Sequence, residues 1–281
     1  MIGGAPTQTR GRKVVAAIAD DSAAAAVLSS ASAIAGLFSA TVQAVHAGEG
    51  NATVSDAARK AGVTLTTIAG GAVEAIKGVA ADEDVAAVVI GARGTPAGGQ
   101  PAGSTAIALV TSLEKPVAVV PPNAVVGGGI QTVLVPLDGT VLSAEALREV
   151  VELASRAQLQ IVVAHVYLER SLPAFSDHLP HEVRAWTEEF IARHCPSAAA
   201  ATLELRVVDG EPGEHVLDIL LANHCDLVAL GWSQNLAQGR AAVVRRMLSE
   251  SPVPVLLMPV DARARLAPVD AGPAIGAVNG G

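Results

Sequence analysis

An apolar run closing on an acidic side chain occurs twice in the chain, and this duplication constrains the fold more than any other feature. Val14-Val15-Ala16-Ala17-Ile18-Ala19-Asp20-Asp21-Ser22 is matched by Val133-Leu134-Val135-Pro136-Leu137-Asp138-Gly139-Thr140. A missed duplication would misassign every later motif. A helix-like segment follows each run. In the second copy, Ser143 to Ala157 sets Ala146, Leu147, Val150, Val151 and Ala154 on one face at the 3.6-residue period, with Ser143 as the expected N-cap. Two β-rich runs come next, Val42 to Ala47 and Ile161 to Val166, carrying His46 and His165 near their ends. The spacing from Asp20 to His46 nearly equals that from Asp138 to His165. Val85 to Gly91 then matches Asp226 to Gly231, and each is followed by a loop, a helix and a final strand opened by Pro116 or Pro252.

Short continuous apolar strands alternating with helices predict parallel βαβ units with right-handed crossovers. The expected organisation is a first lobe over 12–122, a linker over 123–130, a second lobe over 131–260 and a disordered tail over 261–281. The linker follows from Pro121 and Pro122 and from the run Gly127 to Gly129. The second lobe has an extra segment, Pro180 to Cys195, expected as a helix, where the first has only a short crossover through Asn51 to Lys60.

A chain of 281 residues is comfortable for two such lobes. Hydrophobic residues make up 51% but aromatics only 2%, so small aliphatic side chains must fill the space between closely spaced layers. The net charge of −8 supplies no field for a phosphate backbone and argues against nucleic acid as the main partner. Cys195 and Cys225 are too few for a disulfide scaffold, which fits a reducing, cytoplasmic setting. Met1 to Lys13 shows no charged n-region followed by an apolar stretch and cleavage site, so secretion is not expected. Ser22 to Val45 carries no charge and is long enough to raise a membrane span. Its Ser29, Ser30, Ser32, Ser39, Thr41 and Gln43, and its dependence on alanine, read against one.

The stretch richest in chemistry is Gly91-Ala92-Arg93-Gly94, then a spacer with Gly98 and Gly99, then Gly103-Ser104-Thr105 opening a helix toward Leu113. Glycines remove Cβ atoms, so several backbone N–H groups can converge on an anion. Ser104 and Thr105 fall at a helix N-terminus, where free N–H groups and the helix dipole favour phosphate. Ligands in open parallel sheets bind outside the carboxyl ends of the strands near the switch point, and Asp20 ends the first strand facing that crevice. The competing reading is an ordinary surface loop. Loop, strand-end acid and following helix together favour nucleotide phosphate. The sequence is neither a Walker A loop, lacking Gly-Lys-Ser/Thr, nor a dinucleotide fingerprint, which would follow the first strand.

These residues give the chain a resemblance to the universal stress protein family in its tandem two-domain form. Nucleotide-binding members carry Gly-x-x-Gly, a spacer, then Gly-Ser or Gly-Thr, with an Asp closing the first strand. Gly91, Gly94, Gly103, Ser104 and Asp20 match, and the spacer Thr95 to Ala102 is one residue shorter than the family's. The resemblance implies two tandem flavodoxin-like domains with parallel five-stranded sheets. It implies ATP phosphates held by the Gly-rich loop and Ser104, with Mg as a companion ion. Asp20 would lie near the ribose or a bound cation, and Ala47 would form the adenine-contacting edge. The second lobe departs from the pattern. Gly231 is kept, but Gln234 stands where the second glycine belongs, and Arg240 replaces the hydroxyl residue after Gly239. The second lobe is therefore not expected to bind ATP in the family manner.

Other polar residues read more plainly. Arg240, Arg245 and Arg246 suit a solvated helix face rather than an anion site. His178, His181, His194 and Cys195 lack the spacing and partners of a metal set. His46 and His165 read as packed strand-end residues and Cys225 as a buried thiol. No nucleophile or general base stands beside the loop, so no catalytic residue is assigned, and slow ATP hydrolysis is the most that is expected. Two functions stay open: a nucleotide-regulated stress protein whose ATP-dependent surface is read by an unknown protein partner, and a nucleotide-independent structural or interaction module. The fifth strand of each lobe, Val117 to Val120 and Val253 to Met258, would be an edge, with Pro254 tolerated there. The resemblance makes that edge the family's dimer contact, so the two lobes are expected to pair intramolecularly, as a monomer or a weak homodimer.

Overall fold

The computed structural model describes residues 11–19, 22–92, 101–122, 124, 129–138, 140–167, 189, 191–193, 195, 203–236 and 241–260. The tail over 261–281, most of the linker and most of the segment between 180 and 195 lie outside them.

The first half runs β1 (Lys13–Ala17), α1 (Ala24–Leu37), β2 (Thr41–Ala47), α2 (Ala52–Lys60), β3 (Thr64–Ile68), α3 (Ala72–Ala80), β4 (Val85–Gly91), α4 (Ser104–Ser112) and β5 (Val117–Val120). The second runs β6 (Thr132–Pro136), α5 (Val141–Arg156), β7 (Gln160–Tyr167), β8 (Leu203–Asp209), α6 (Pro212–Ala222), β9 (Leu227–Trp232), α7 (Ala242–Glu250) and β10 (Val255–Pro259). Among the described residues they build one ten-stranded sheet in the order β3-β2-β1-β4-β5-β10-β9-β6-β7-β8. Pairing is parallel within each half and antiparallel where β5 meets β10.

Period-two alternation sorts the strand residues onto two faces. Val14, Ala16, Ala118, Val120, Val133, Val135, Leu256 and Met258 pack with α1, α2 and α5. Val15, Val88, Val117, Val119, Leu134, Val228, Val255 and Leu257 pack with α3, α4, α6 and α7. Both cores run through both halves. An extra residue, Ala86, bulges β4 against β1 between the pairs Lys13–Val85 and Val14–Ala87.

The uncharged run from Ser22 resolves into α1 and the start of β2, separated by Ser39 at φ +50. No helix among the described residues is long and apolar enough to cross a membrane. The run is apolar because α1 buries Val27, Leu28, Ala31, Ile34 and Ala35 against the sheet. Helix α5 begins earlier than its periodicity suggests. Its N-cap is Thr140, whose hydroxyl accepts from the Ser143 N–H, so Ser143 lies inside the first turn rather than at the cap. Pro254 is likewise not a strand residue: β10 starts at Val255, and the Pro254 carbonyl accepts from Val228 N–H at 3.2 Å. The extra segment of the second half ends in a described turn in which Cys195 N–H donates to Ile191 O at 2.8 Å.

The duplication is exact in hydrogen-bond register. Ile18 N–H donates to Val45 O and Leu137 N–H to Ala164 O, at 2.9 Å each. The Nδ1 atoms of His46 and His165 lie 3.0 and 2.9 Å from the carbonyls of Ile18 and Leu137. A carbonyl only accepts, so each ring donates from Nδ1. Ser39 and Gln158 both turn the chain at positive φ after α1 and α5.

The junction between the halves is carried by the sheet rather than by charge. Arg12 meets Glu149 across it at 2.8 Å, but both side chains are about half exposed, and such pairs contribute about 0–1 kcal/mol. Val88 N–H bonds to Pro116 O and Ala92 N–H to Val120 O, so alternation turns Val117 and Val119 toward β10, opposite Leu257 and Val255. Val119→Pro should therefore leave the facing acceptor of β10 buried and unmet, at a cost of about 1–3 kcal/mol. Calorimetry should show one unfolding transition for the wild type and a lower or split one for the variant. An unchanged melting temperature would contradict the role given to this pairing.

Candidate functional site

In each half, β1 or β6 has β2 or β7 on one side and β4 or β9 on the other, which makes the gap beyond β1–β4 and β6–β9 the topological switch point. A cavity of about 400 Å³ opens there in the first half. Its floor is Ala17 at the end of β1 with Ile18 and Ala19 just beyond it, and Ile90 and Gly91 at the end of β4. Val27 of α1, Ile76 of α3 and Leu109 of α4 close its sides, and Val45, His46 and Ala47 from β2 line another wall. Gly103, Ser104 and Thr105 stand at its rim.

Sequence reasoning named Asp20, Ala47, Gly91, Gly94, Gly103, Ser104 and Thr105. The structure brings Ala47, Gly91, Gly103, Ser104 and Thr105 to this one cavity. Asp20 and Gly94 lie outside the described residues. Gly103 is the N-cap of α4, with no side-chain cap bond, and its own N–H donates to Ala92 O at 3.3 Å. The first-turn N–H groups of α4 have no partner within the helix, and Ser104 and Thr105 are exposed. Such a terminus favours a negative charge.

The apolar walls were not anticipated. Ala72 and Ile76 of α3 lie four residues apart on one helix face, and this spacing is the signal that could have found them. His46, expected as a packed strand-end residue, is buried and fixed to Ile18 O.

The second half repeats the cavity at about 380 Å³, lined by Pro136, Leu137, Asp138, Ser143, Gly231 and Trp232 among others. Register separates the two. Because Ile18 corresponds to Leu137, the residue equivalent to Asp138 is Ala19, and Asp20 comes one position later in the sequence. The match of Asp20 with Asp138 read from the sequence is thus shifted by one. Asp138 accepts from Ser143 Oγ at 2.6 Å, Thr140 Oγ1 at 2.7 Å and Thr140 N–H at 2.9 Å. Burial disfavours its charge, but these hydrogen bonds outweigh that and hold its carboxyl below the usual 3.8. Arg246, considered earlier for an anion site, pairs with Glu250 at 2.9 Å and Glu214 at 3.7 Å, while Arg245 donates to Leu236 O. Arg240 lies outside the described residues. Burial, joined at Cys225 by the neighbouring Asp226, pushes both thiols up to about 11, so neither Cys195 nor Cys225 is a nucleophile near neutral pH.

The strand-end glycines are not equivalent. A Cβ at Gly91 would meet Val27 Cγ2 at 3.5 Å, an ordinary contact, whereas one at Gly231 would meet Ala146 Cβ at 3.3 Å and Ser143 Cα and O at 3.4 Å. Gly231→Ala should cost about 1 kcal/mol or more through overpacking, while Gly91→Ala should stay within about 0.5 kcal/mol of wild type. Urea denaturation of the two variants measures this, and equal destabilisation would contradict it.

The universal stress protein family model matches residues 49–121 and 129–259. Among proteins of curated function, no sequence matches the chain. A universal stress protein from Archaeoglobus fulgidus shares its fold with a TM-score of 0.65 at 14% identity, covering 89% of this chain and 98% of its own. A functionally unknown protein from Pseudomonas aeruginosa PAO1 does so with a TM-score of 0.64 at 14% identity, covering 89% of this chain and 93% of its own. With two successive matches to one family model and the same fold over both halves, the chain belongs to the universal stress protein family in a tandem form.

Proposed function

We propose that the first half binds one adenine nucleotide, ATP with Mg, and that its occupancy regulates a surface recognised by another protein in a stress response. The observation that carries this reading is the convergence of Ala47, Gly91, Gly103, Ser104 and Thr105 on one cavity of about 400 Å³ at the switch point. That volume lies within the range of about 300–1,000 Å³ typical of small-molecule sites. The division of labour follows from the lining. The apolar walls would enclose the base, with the backbone at Ala47 reading its edge. The uncapped first turn of α4 would hold phosphate through its N–H groups, with the Ser104 hydroxyl beside them. Asp20 would approach the ribose or the cation.

Size alone does not separate the two cavities, so the proposal of a single site rests on chemistry. The extended backbone of Gly103 leads into α4, whereas α7 is entered through Ala241 at φ +51. The position of Ala92 is taken in the second half by Trp232, which lines that cavity, and Gln234 replaces the second loop glycine. The glycine entry to the helix N-terminus therefore belongs to the first half.

Calorimetric titration with Mg-ATP should give one site per chain, and two equivalent sites would contradict the proposal. Gly103→Val should abolish binding with little change in melting temperature, because it sets a branched side chain where phosphate meets α4. Asp20→Ala should weaken binding several-fold. Wild-type affinity in Gly103→Val would overturn the placement of the cradle. Mass spectrometry of the purified protein for bound nucleotide separates this function from a nucleotide-independent interaction module.

A further inference from the structure

The two ends of α4 face different halves of the molecule. Its N-terminus borders the first-half cavity through Gly103, Ser104 and Thr105. Its C-cap is Leu113, whose carbonyl is one of the four acceptors that a helix end leaves without an intrahelical donor. That carbonyl accepts from Gln234 Nε2 of the second half. Gln234 is the residue that replaces the second glycine of the phosphate loop. It keeps a left-handed backbone, φ +59, of the kind glycine adopts freely, but adds a side chain that reaches across to the other half. On the far side of the same helix end, Lys115 Nζ donates to the carbonyls of Asp82 and Val85.

In the second half the hydroxyl of Ser251, the C-cap of α7, donates to Val253 O at 2.8 Å and accepts from Val253 N–H at 3.2 Å, a local pair with no partner in the other half among the described residues. Helix α4 has nine residues, a rod of about 13 Å, and a shift at its C-terminus is carried to its N-terminal N–H groups.

We infer that the second half's altered loop serves as the C-terminal cap of the helix bordering the first-half cavity, which makes Gln234 a positioning residue for nucleotide binding in the other half. This rests on the reading of the first-half cavity as the nucleotide site. The loop that lost its own phosphate cradle holds the remaining one in place.

The test uses the full chain. Gln234→Glu keeps size but loses the donor and sets a negative charge beside the negative end of α4, and Gln234→Ala removes the contact. Two readouts are taken: amide hydrogen exchange over 104–113 against 242–251, and calorimetric affinity for Mg-ATP. Both variants should speed exchange over 104–113, leave 242–251 unchanged, and weaken Mg-ATP about two- to tenfold. Gln234→Lys, which restores a donor, should recover part of both. Faster exchange with unchanged affinity would overturn the positioning role and leave a purely structural cap. Unchanged exchange would overturn the cap itself. A wild-type chain with no measurable affinity for Mg-ATP would overturn the proposed function, and the positioning role with it. Wild-type binding with unaltered variants would overturn the positioning role alone.

Discussion

The antiparallel pairing of β5 with β10 determines the rest of the architecture. Each half alone would end in an edge strand with unmet backbone groups, the usual template for association. Pairing the two edges within one chain merges the sheets and extends both apolar cores through the molecule. It also inverts the second half, because the strands beyond the junction run the opposite way. The short side chains make this possible. Val117, Ala118, Val119 and Val120 are buried on both faces, and a chain with only 2% aromatics lets helices lie close over the joined strands.

On this shared frame the two halves differ at corresponding positions around their cavities. The first has the glycine entry to α4, but Ala19 where the second has Asp138. The second keeps Asp138, held as a carboxylate by Thr140 and Ser143 at the start of α5, but has a changed loop and Trp232 in its cavity. A carboxylate saturated by three donors of its own helix start has a structural role that persists without a ligand. This is why Asp138 is a poor indicator of binding.

The strands and helices were legible because alternation and the 3.6-residue period are local, and the repeat supplied each element twice. The meeting of Gly91, Gly103, Ser104 and Thr105 at one cavity was legible because they follow one strand and open one helix. What could not be read were one-residue shifts and distant contacts. Asp20 and Asp138 look equivalent as letters, and only the bonds from Ile18 and Leu137 show the slip. Thr140 rather than Ser143 caps α5 because the helix begins at Val141, three residues before the periodic face at Ala144 onward would place it, and the Thr140 hydroxyl accepts from the Ser143 N–H. The bond from Gln234 to Leu113 joins residues 121 positions apart and leaves no local trace.

The inversion at the junction sets how the halves can influence each other. Ligand cavities in parallel sheets lie beyond the carboxyl ends of the strands, and here those ends point in opposite directions in the two halves. The cavities bounded by Gly91 and Gly231 therefore open on opposite margins of the joined sheet, and no single small ligand can bridge them. Communication has to pass through elements that cross the junction. The sheet is one, but packed strands buried on both faces are stiff and resist small adjustments. The side chain of Gln234 on the end of α4 is another, and it meets a helix whose opposite end borders the first-half cavity. On the proposed reading, the second half thus supports the geometry of the first-half site without having to bind anything itself.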